Sequence, residues 1–340
     1  MIMSYRKETV LLLFASAVLS CISCGGGKDR VMTGSFWKEQ GVENILPLWA
    51  AAAPDSAYGG FHTFLDREWT PYNGTEKYPG MVSRHLFSYS AAYLMSGDSL
   101  WLRRATEVRD YLITCGWDSV YGGWYDALDR QGNVIKATKD AFYQMYAQTG
   151  LAMYYFVSRD KEALDLLQRG HDILSGPGWD SRYGGYYRRL NRDLTPAVQT
   201  KDFSPQFAPL SGYLIYFYLA TGDDRYLAQM EKVLDLAWER MRDPDSGWVR
   251  EHFTRDWTYV RKLRRDSTEF NVGHNAEVVW MLLRLAQLTG RNDYAEKGME
   301  LAPALRRRAV DSASGAWVHG ISGSVPPVRS GSTPWWVQAY

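Results

Sequence analysis

The sequence predicts an all-α chain: an (α/α)6 barrel of repeated helical hairpins, with short β-hairpins in the long loops at one end. Three observations carry this expectation. First, Asp55-Ser56-Ala57-Tyr58-Gly59-Gly60-Phe61 returns as Asp118-Ser119-Val120-Tyr121-Gly122-Gly123-Trp124 and as Asp180-Ser181-Arg182-Tyr183-Gly184-Gly185-Tyr186. Weaker copies follow at Ser246-Gly247-Trp248 and Ser314-Gly315-Ala316-Trp317, and the steps from Gly60 through Gly123, Gly185 and Gly247 to Gly315 are 63, 62, 62 and 68 residues. A fixed period of that length marks stacked or ringed repeats. Second, two stretches with apolar residues at three- and four-residue spacing lie between successive copies. Third, the joint within each pair of stretches also repeats, as Ser96-Gly97-Asp98, Ser158-Arg159-Asp160, Thr221-Gly222-Asp223 and Thr289-Gly290-Arg291. Gly closes a helix in the left-handed conformation, and Asp suits the start of the next.

The helical stretches pair in order along the chain. Met81–Met95 and Leu100–Leu112 follow the first loop, and Phe142–Val157 and Glu162–Leu174 follow the second. Phe207–Ala220 and Tyr226–Met241 follow the third, and Glu277–Leu288 and Tyr294–Arg308 follow the fourth. Each strong loop copy continues into Leu65-Asp66-Arg67, Leu128-Asp129-Arg130 or Leu190-Asn191-Arg192, which reads as a turn and a short hairpin. All long loops fall at one end, so a ring is favoured over an open solenoid, and the helices after the loops run parallel as its inner wall. One helix precedes the first loop and a tenth starts near Pro334. Closing six hairpins takes roughly one more period of 60–70 residues beyond Tyr340.

Composition narrows the function classes. The net charge is +1 with no basic block, which argues against a nucleic-acid partner. Aromatic residues make up 14% of the chain, and many sit in the loops, where they serve packing or stack on the apolar faces of sugar rings. At the N-terminus, Arg6 and Lys7 precede an apolar run from Val10 to Leu19, too short to span a bilayer. The run ends at Val18-Leu19-Ser20-Cys21, with a second candidate at Cys24. Residues 1–21 therefore read as a lipoprotein-type signal with Cys21 as the lipidated residue, 22–32 as a flexible tether, and 33–340 as the barrel domain. An ordinary signal peptide is the alternative. The expected location is the bacterial cell envelope, with membrane contact only through the anchor. Only Cys115 lies in the folded part, so no disulfide is available within it.

If the inner helices are parallel, their N-terminal ends meet at one mouth together with the long loops. The repeat places Arg84, His85, Tyr143, Tyr146, Gln206, His274, Glu277, Trp335 and Trp336 there. His274 and Glu277 share a helix face; they read either as a tuned general base with its acid or as a hydrogen-bonded structural pair. Arg84 sits among apolar residues, so it is paired, faces a wet cavity, or snorkels to the surface. The remaining histidines, His62, His171, His252 and His319, show no metal-ligand spacing. No carboxylate pair stands out for glycoside hydrolysis, and no phosphate loop, dinucleotide signature or Gly-x-Ser-x-Gly is present.

Three longer motifs then point further: Val82-Ser83-Arg84, Phe270-Asn271-Val272-Gly273-His274-Asn275-Ala276-Glu277, and Pro334-Trp335-Trp336-Val337-Gln338-Ala339. With them the chain from Phe36 onward resembles the N-acylglucosamine 2-epimerase family, which includes disaccharide 2-epimerases and aldose–ketose isomerases. The resemblance implies an epimerase or isomerase acting at C2 of a reducing sugar, such as cellobiose, mannobiose, N-acylglucosamine or mannose. His274 would move the C2 proton through an enediolate, Arg84 would stabilise the oxyanion, and Glu277 would orient His274 or bind a hydroxyl. Trp335, Trp336, Tyr143, Tyr146, Gln206 and Asn271 would bind substrate. No cofactor and no metal is implied, and a homo-oligomer is left open. Two departures are plain. The family's Asn-x-His-x-His at the sixth helix is here Ser204-Pro205-Gln206-Phe207-Ala208. The second catalytic His of the epimerases opens a twelfth helix, past Tyr340. A glycoside hydrolase or lyase on the same barrel, and a non-catalytic lipid-anchored sugar-binding protein, are the competing readings.

Overall fold

The computed structural model describes residues 33–72, 74–262, 268–322 and Val337. The expected signal, the tether with Cys21 and Cys24, and Trp335–Trp336 lie outside the described residues. The chain enters through α1 (Gly34–Lys38), a π-helical turn at Glu39–Ile45 and α2 (Leu46–Ala52). Four helical hairpins follow. They are α3 (Pro79–Ser96) with α4 (Ser99–Tyr111), α5 (Ala141–Ser158) with α6 (Lys161–Ser175), α7 (Phe203–Ser211) and α8 (Tyr213–Thr221) with α9 (Asp224–Met241), and α10 (Val272–Thr289) with α11 (Asn292–Ala309).

The helices after the long loops pack on one another as an inner layer: α3 on α5, α5 on α7 and α8, and α7 on α10. The others each pack outside their partner. Small residues let the inner helices close up. A Cβ on Gly150 would lie 2.2 Å from the carbonyl oxygen of Ser83. The Ser83 hydroxyl donates to the Tyr146 carbonyl at 2.5 Å. This contact sets α3 against α5 and carries the next residue, Arg84, to Tyr146. Gly97, Gly222 and Gly290 cap their helices in the left-handed conformation as expected, and Arg159 does the same at φ 60°.

One expected helix differs. The stretch from Phe207 to Ala220 is not continuous: α7 ends at Ser211 and α8 restarts at Tyr213. Pro209 removes a backbone donor inside α7, and a Cβ on Gly212 would meet the Thr149 hydroxyl at 2.4 Å. The break keeps the inner layer close-packed at that point.

Short ladders sew the loops together. The strands are β1 (Ala127–Leu128), β2 (Val134–Lys136), β3 (Lys139–Asp140), β4 (Arg189–Leu190), β5 (Pro196–Val198), β6 (Lys201–Asp202), β7 (His252–Phe253), β8 (Phe270–Asn271) and β9 (Gly320–Ile321). The strand opening an inner helix pairs antiparallel with the hairpin of the next loop: β3 with β4, β6 with β7, β8 with β9.

The repeated loop acids hold this stitching in place. Asp118 accepts from Lys139 Nζ at 3.2 Å and from Arg192 Nε at 2.9 Å, with Asp118 and Lys139 fully buried. Asp55 takes Lys77 and Arg130, and Asp180 takes Lys201 and Arg255, in the same way. So Arg130 and Arg192 of the Asp-Arg and Asn-Arg pairs, and Arg255 of the next loop, do more than close their own hairpins; each reaches back to the acid of the preceding loop. Burial works against a charged Asp118, but Arg192, the backbone N–H groups of Tyr121 and Val120, and Lys139 outweigh it and hold the carboxyl below its ordinary range. Among the described residues no helix is long and apolar enough to cross a membrane.

Candidate active site at the mouth of the helical layer

The Gly-Gly pair is a fixed anchor for the mouth. Gly122 and Gly123 hold φ of 80° and 76°, a region that disfavours side chains. A Cβ on Gly123 would also press on Gln144 Oε1 at 3.0 Å. That amide clamps the loop: Gln144 Oε1 accepts from Trp124 N at 2.7 Å, and Nε2 donates to Trp124 O at 2.6 Å. Gln206 repeats the clamp on Tyr186 with both contacts at 2.9 Å, and Asn275 repeats it on Val249 at 2.7 and 3.2 Å.

This corrects the expectation for Gln206. The residue is 1% exposed, and both ends of its amide serve the Tyr186 backbone, which leaves no face for a sugar. Asn271 is corrected too. It is buried, and its Oδ1 caps α10 by accepting from the His274 backbone N–H at 3.2 Å. It orients the turn that carries His274.

His274 sits in the first turn of α10. Its imidazole stacks on Phe203 with centroids 4.2 Å apart and planes 10° apart. Its Nδ1 is hydrogen-bonded to Glu251, a residue of the preceding loop that the sequence reading did not single out. Glu277 was expected to orient His274 or to bind a hydroxyl; the structure puts Glu251 on Nδ1, and Glu277 acts electrostatically on Tyr146. The signal for Glu251 lay in register alone: it adjoins His252, which pairs across the ladder with Asp202, so Glu251 lands beside Phe203 and hence beside His274.

Arg84 places its guanidinium over the Tyr146 ring, 4.3 Å from the centroid. Burial pushes the Tyr146 phenol up from its ordinary value; the Arg84 charge opposes that rise and Glu277 adds to it. Arg84 is exposed and lines two cavities, one of about 290 Å³ with Phe87, Thr149 and Tyr216, and one of about 410 Å³ with Trp49, His62 and His85. Arg84 thus both pairs with Tyr146 and faces a cavity. Tyr143 lies beside Tyr78 and Phe142 at the head of α5. His85 is enclosed by Phe61, Trp49 and Tyr89, and burial lowers it to about 4, so it stays neutral at neutral pH. No cluster of three or more His, Cys, Asp or Glu among the described residues is set to hold a metal ion.

The mouth thus gathers Arg84, Tyr146 and Glu277, with His274 one turn before Glu277 and backed by Glu251. A histidine held by a carboxylate, with a cation at the same mouth, suits proton transfer next to a carbonyl. The family model for N-acylglucosamine 2-epimerase matches residues 59–339, most of the chain. The chain belongs to the N-acylglucosamine 2-epimerase family. That membership makes it a sugar epimerase or isomerase in class. It is similar to a cellobiose 2-epimerase of Bacteroides fragilis, 24% identical over 92% of this chain and 80% of the relative. The fold matches a solved D-mannose isomerase with a TM-score of 0.82 at 19% identity, over 93% of this chain and 80% of the other. It matches a cellobiose 2-epimerase from Bacillus thermoamylovorans B4167 with a TM-score of 0.80 at 21% identity, over 90% and 79%. The expected family and (α/α)6 barrel class stand on these matches and on the inner and outer helical layers.

Proposed function

We propose that the chain acts at C2 of a reducing sugar, with His274 exchanging the C2 proton and Arg84 stabilising the enediolate oxygen. The observation that carries this reading is the His274–Glu251 pair at the helix mouth. A carboxylate on Nδ1 fixes the ring and its tautomer, and it supports the imidazolium that forms when the ring takes a proton. Proton exchange then falls to Nε2, the nitrogen away from Glu251. The open-chain sugar presents an aldehyde at C1, which makes the C2 proton acidic. As the C2–H bond breaks, charge moves to the C1 oxygen, where a preorganised guanidinium lowers the barrier. Return of the proton to C2 from the opposite face gives the epimer, and return to C1 gives the ketose. Glu277 and Tyr146 are placed to bind hydroxyls beside Arg84. Cellobiose and mannose are the first substrates to try, given what the similar proteins are named for.

The test is incubation with cellobiose, mannobiose, mannose and N-acetylglucosamine in deuterated water. Deuterium at C2 of at least one of them supports the reading, and its absence from all four contradicts it. We further propose that Cys21 carries a lipid anchor. Labelled palmitate should be incorporated by the natural protein and lost in Cys21→Ala; label retained in that variant removes Cys21 from the role.

A further inference from the structure

Arg84 is a partition as well as a charge. Arg84 and Ser88 lie one turn apart on α3, and both line the two cavities described above. Toward α5 and α8 lies the chamber of about 290 Å³, walled by Tyr146, Thr149 and Tyr216. Toward α2 and the first loop lies the chamber of about 410 Å³, to which Trp49, His62, Thr63 and His85 contribute. The proposed reaction uses Arg84 and Tyr146. The larger chamber therefore adjoins the reacting carbons through a residue that both chambers share.

Its wall has the chemistry of a neutral sugar site. Trp49 meets Trp69 at 5.1 Å and His85 at 5.6 Å between centroids, with planes 86° and 61° apart, so neither ring lies flat on the indole. Trp69 is held at a φ of 64° in its hairpin turn, and Phe61 stacks on His85 at 5.0 Å, so both neighbours of Trp49 are themselves fixed. An indole face with no ring laid flat across it suits the C–H face of a pyranose. Polar tips stand around it: the His62 imidazole and the hydroxyls of Thr63 and Ser88. Thr63 donates its proton to the Glu76 carbonyl at 2.7 Å, which leaves its oxygen to accept from a sugar hydroxyl. Among the described residues no carboxylate lines this chamber, and burial lowers both His62 and His85. With Arg84 assigned to the reacting unit, the remaining wall is apolar or neutral, which favours an uncharged, hydroxyl-rich ligand.

We propose that the Trp49 chamber is the subsite for the second, non-reacting unit of a neutral reducing disaccharide, with Trp49 as its stacking platform. This rests on the reading of Arg84 as the stabiliser of the enediolate oxygen. The reacting unit opens to its aldehyde at Arg84. The second unit keeps its ring closed, because its anomeric carbon is tied into the glycosidic bond. A closed ring keeps a flat C–H face, and the chamber supplies a flat indole to meet it.

Isothermal titration calorimetry on the full chain tests it, using cellobiose, mannobiose, glucose, mannose and glucose 6-phosphate. At least one disaccharide should bind about tenfold more tightly than its monosaccharide. In Trp49→Ala that ratio should fall to about one, and Trp49→Phe should restore part of it. His62 is a partly exposed loop residue, and His62→Ala should lower the ratio about threefold. Melting curves check that each variant folds. Equal affinities for disaccharide and monosaccharide in the natural protein overturn the subsite. So does a preference that survives in folded Trp49→Ala or, where that variant does not fold, one unchanged in both Trp49→Phe and His62→Ala. Tighter binding of glucose 6-phosphate than of either disaccharide overturns the assignment to a neutral sugar. Deuterium exchange at C2 is read separately. Trp49-dependent disaccharide binding without exchange sinks the proton-transfer reading and leaves the subsite standing, and exchange without disaccharide preference does the reverse.

Discussion

The first three loops and the fourth begin from the same plan and end differently. In the first three, a buried Asp takes a buried Lys from the strand before the next inner helix and an Arg from the following loop. In the fourth, Phe270 stands in register where Lys139 and Lys201 stand. Asp243 turns to Arg250 of its own loop instead. That loop also presents Glu251, which the structure sets on His274. Three loops use their charges on the scaffold, and the fourth directs a carboxylate to the candidate base. Divergence within a repeat is thus the better guide to the site, and fidelity to it is the mark of the frame.

The contrast can be broken at several points. Asp118→Ala leaves a fully buried ammonium without its carboxylate and should cost about 3–5 kcal/mol of stability, read by denaturant unfolding. Asp243→Ala should cost clearly less, because its Arg250 partner is partly exposed. Equal losses would erase the distinction between the loops. Gln206→Ala strands the N–H and C=O of Tyr186 and should cost about 1–3 kcal/mol for each group left unsatisfied. Its KM should change by less than about twofold once the protein is folded; a large rise in KM would return Gln206 to the substrate site. Glu251→Gln should lower kcat about tenfold or more with little change in KM, and Glu251→Asp should recover part of the loss. Unchanged kcat in Glu251→Gln would make the pair with His274 merely structural.

Acid gives the smallest and most diffuse effect. Asp55, Asp118 and Asp180 are all held below the ordinary carboxylate value; Arg130 is the main cause for Asp55, and for the other two Arg192 and Arg255 lead the groups that overcome burial. A depressed folded-state value means the stabilisation is whole above the unfolded value, about 3.9, and drains away as pH falls below it. Stability should therefore be flat with respect to these groups above about pH 5 and fall steadily below about 4. In Asp118→Ala that acid slope should be shallower.

Much of the frame was legible because it repeats. The Gly-Gly loops, the Gly and Asp joints and the helical stretches between them located the inner layer and its mouth, with Arg84 and His274 on it. What escaped was contact between repeats. Nothing in Asp129-Arg130 says that Arg130 binds Asp55, since the partners are 75 residues apart and meet only when the loops stack. Gln206 read as a mouth residue because its position is right, but the direction of its side chain depends on the backbone of Tyr186. The break at Gly212 was missed because apolar periodicity runs through it. Glu251 was invisible for the same reason as Arg130: a ladder, not local spacing, brings it to His274.

The most direct measurement is the rate of deuterium incorporation at C2 by His274→Ala, set against the natural protein on whichever sugar the latter labels. The fourth loop and α10 form the proton-transfer site in this account, so the variant should keep its fold and melting behaviour while exchange drops by about 10²- to 10⁴-fold. A folded His274→Ala protein that labels C2 at the natural rate would contradict it.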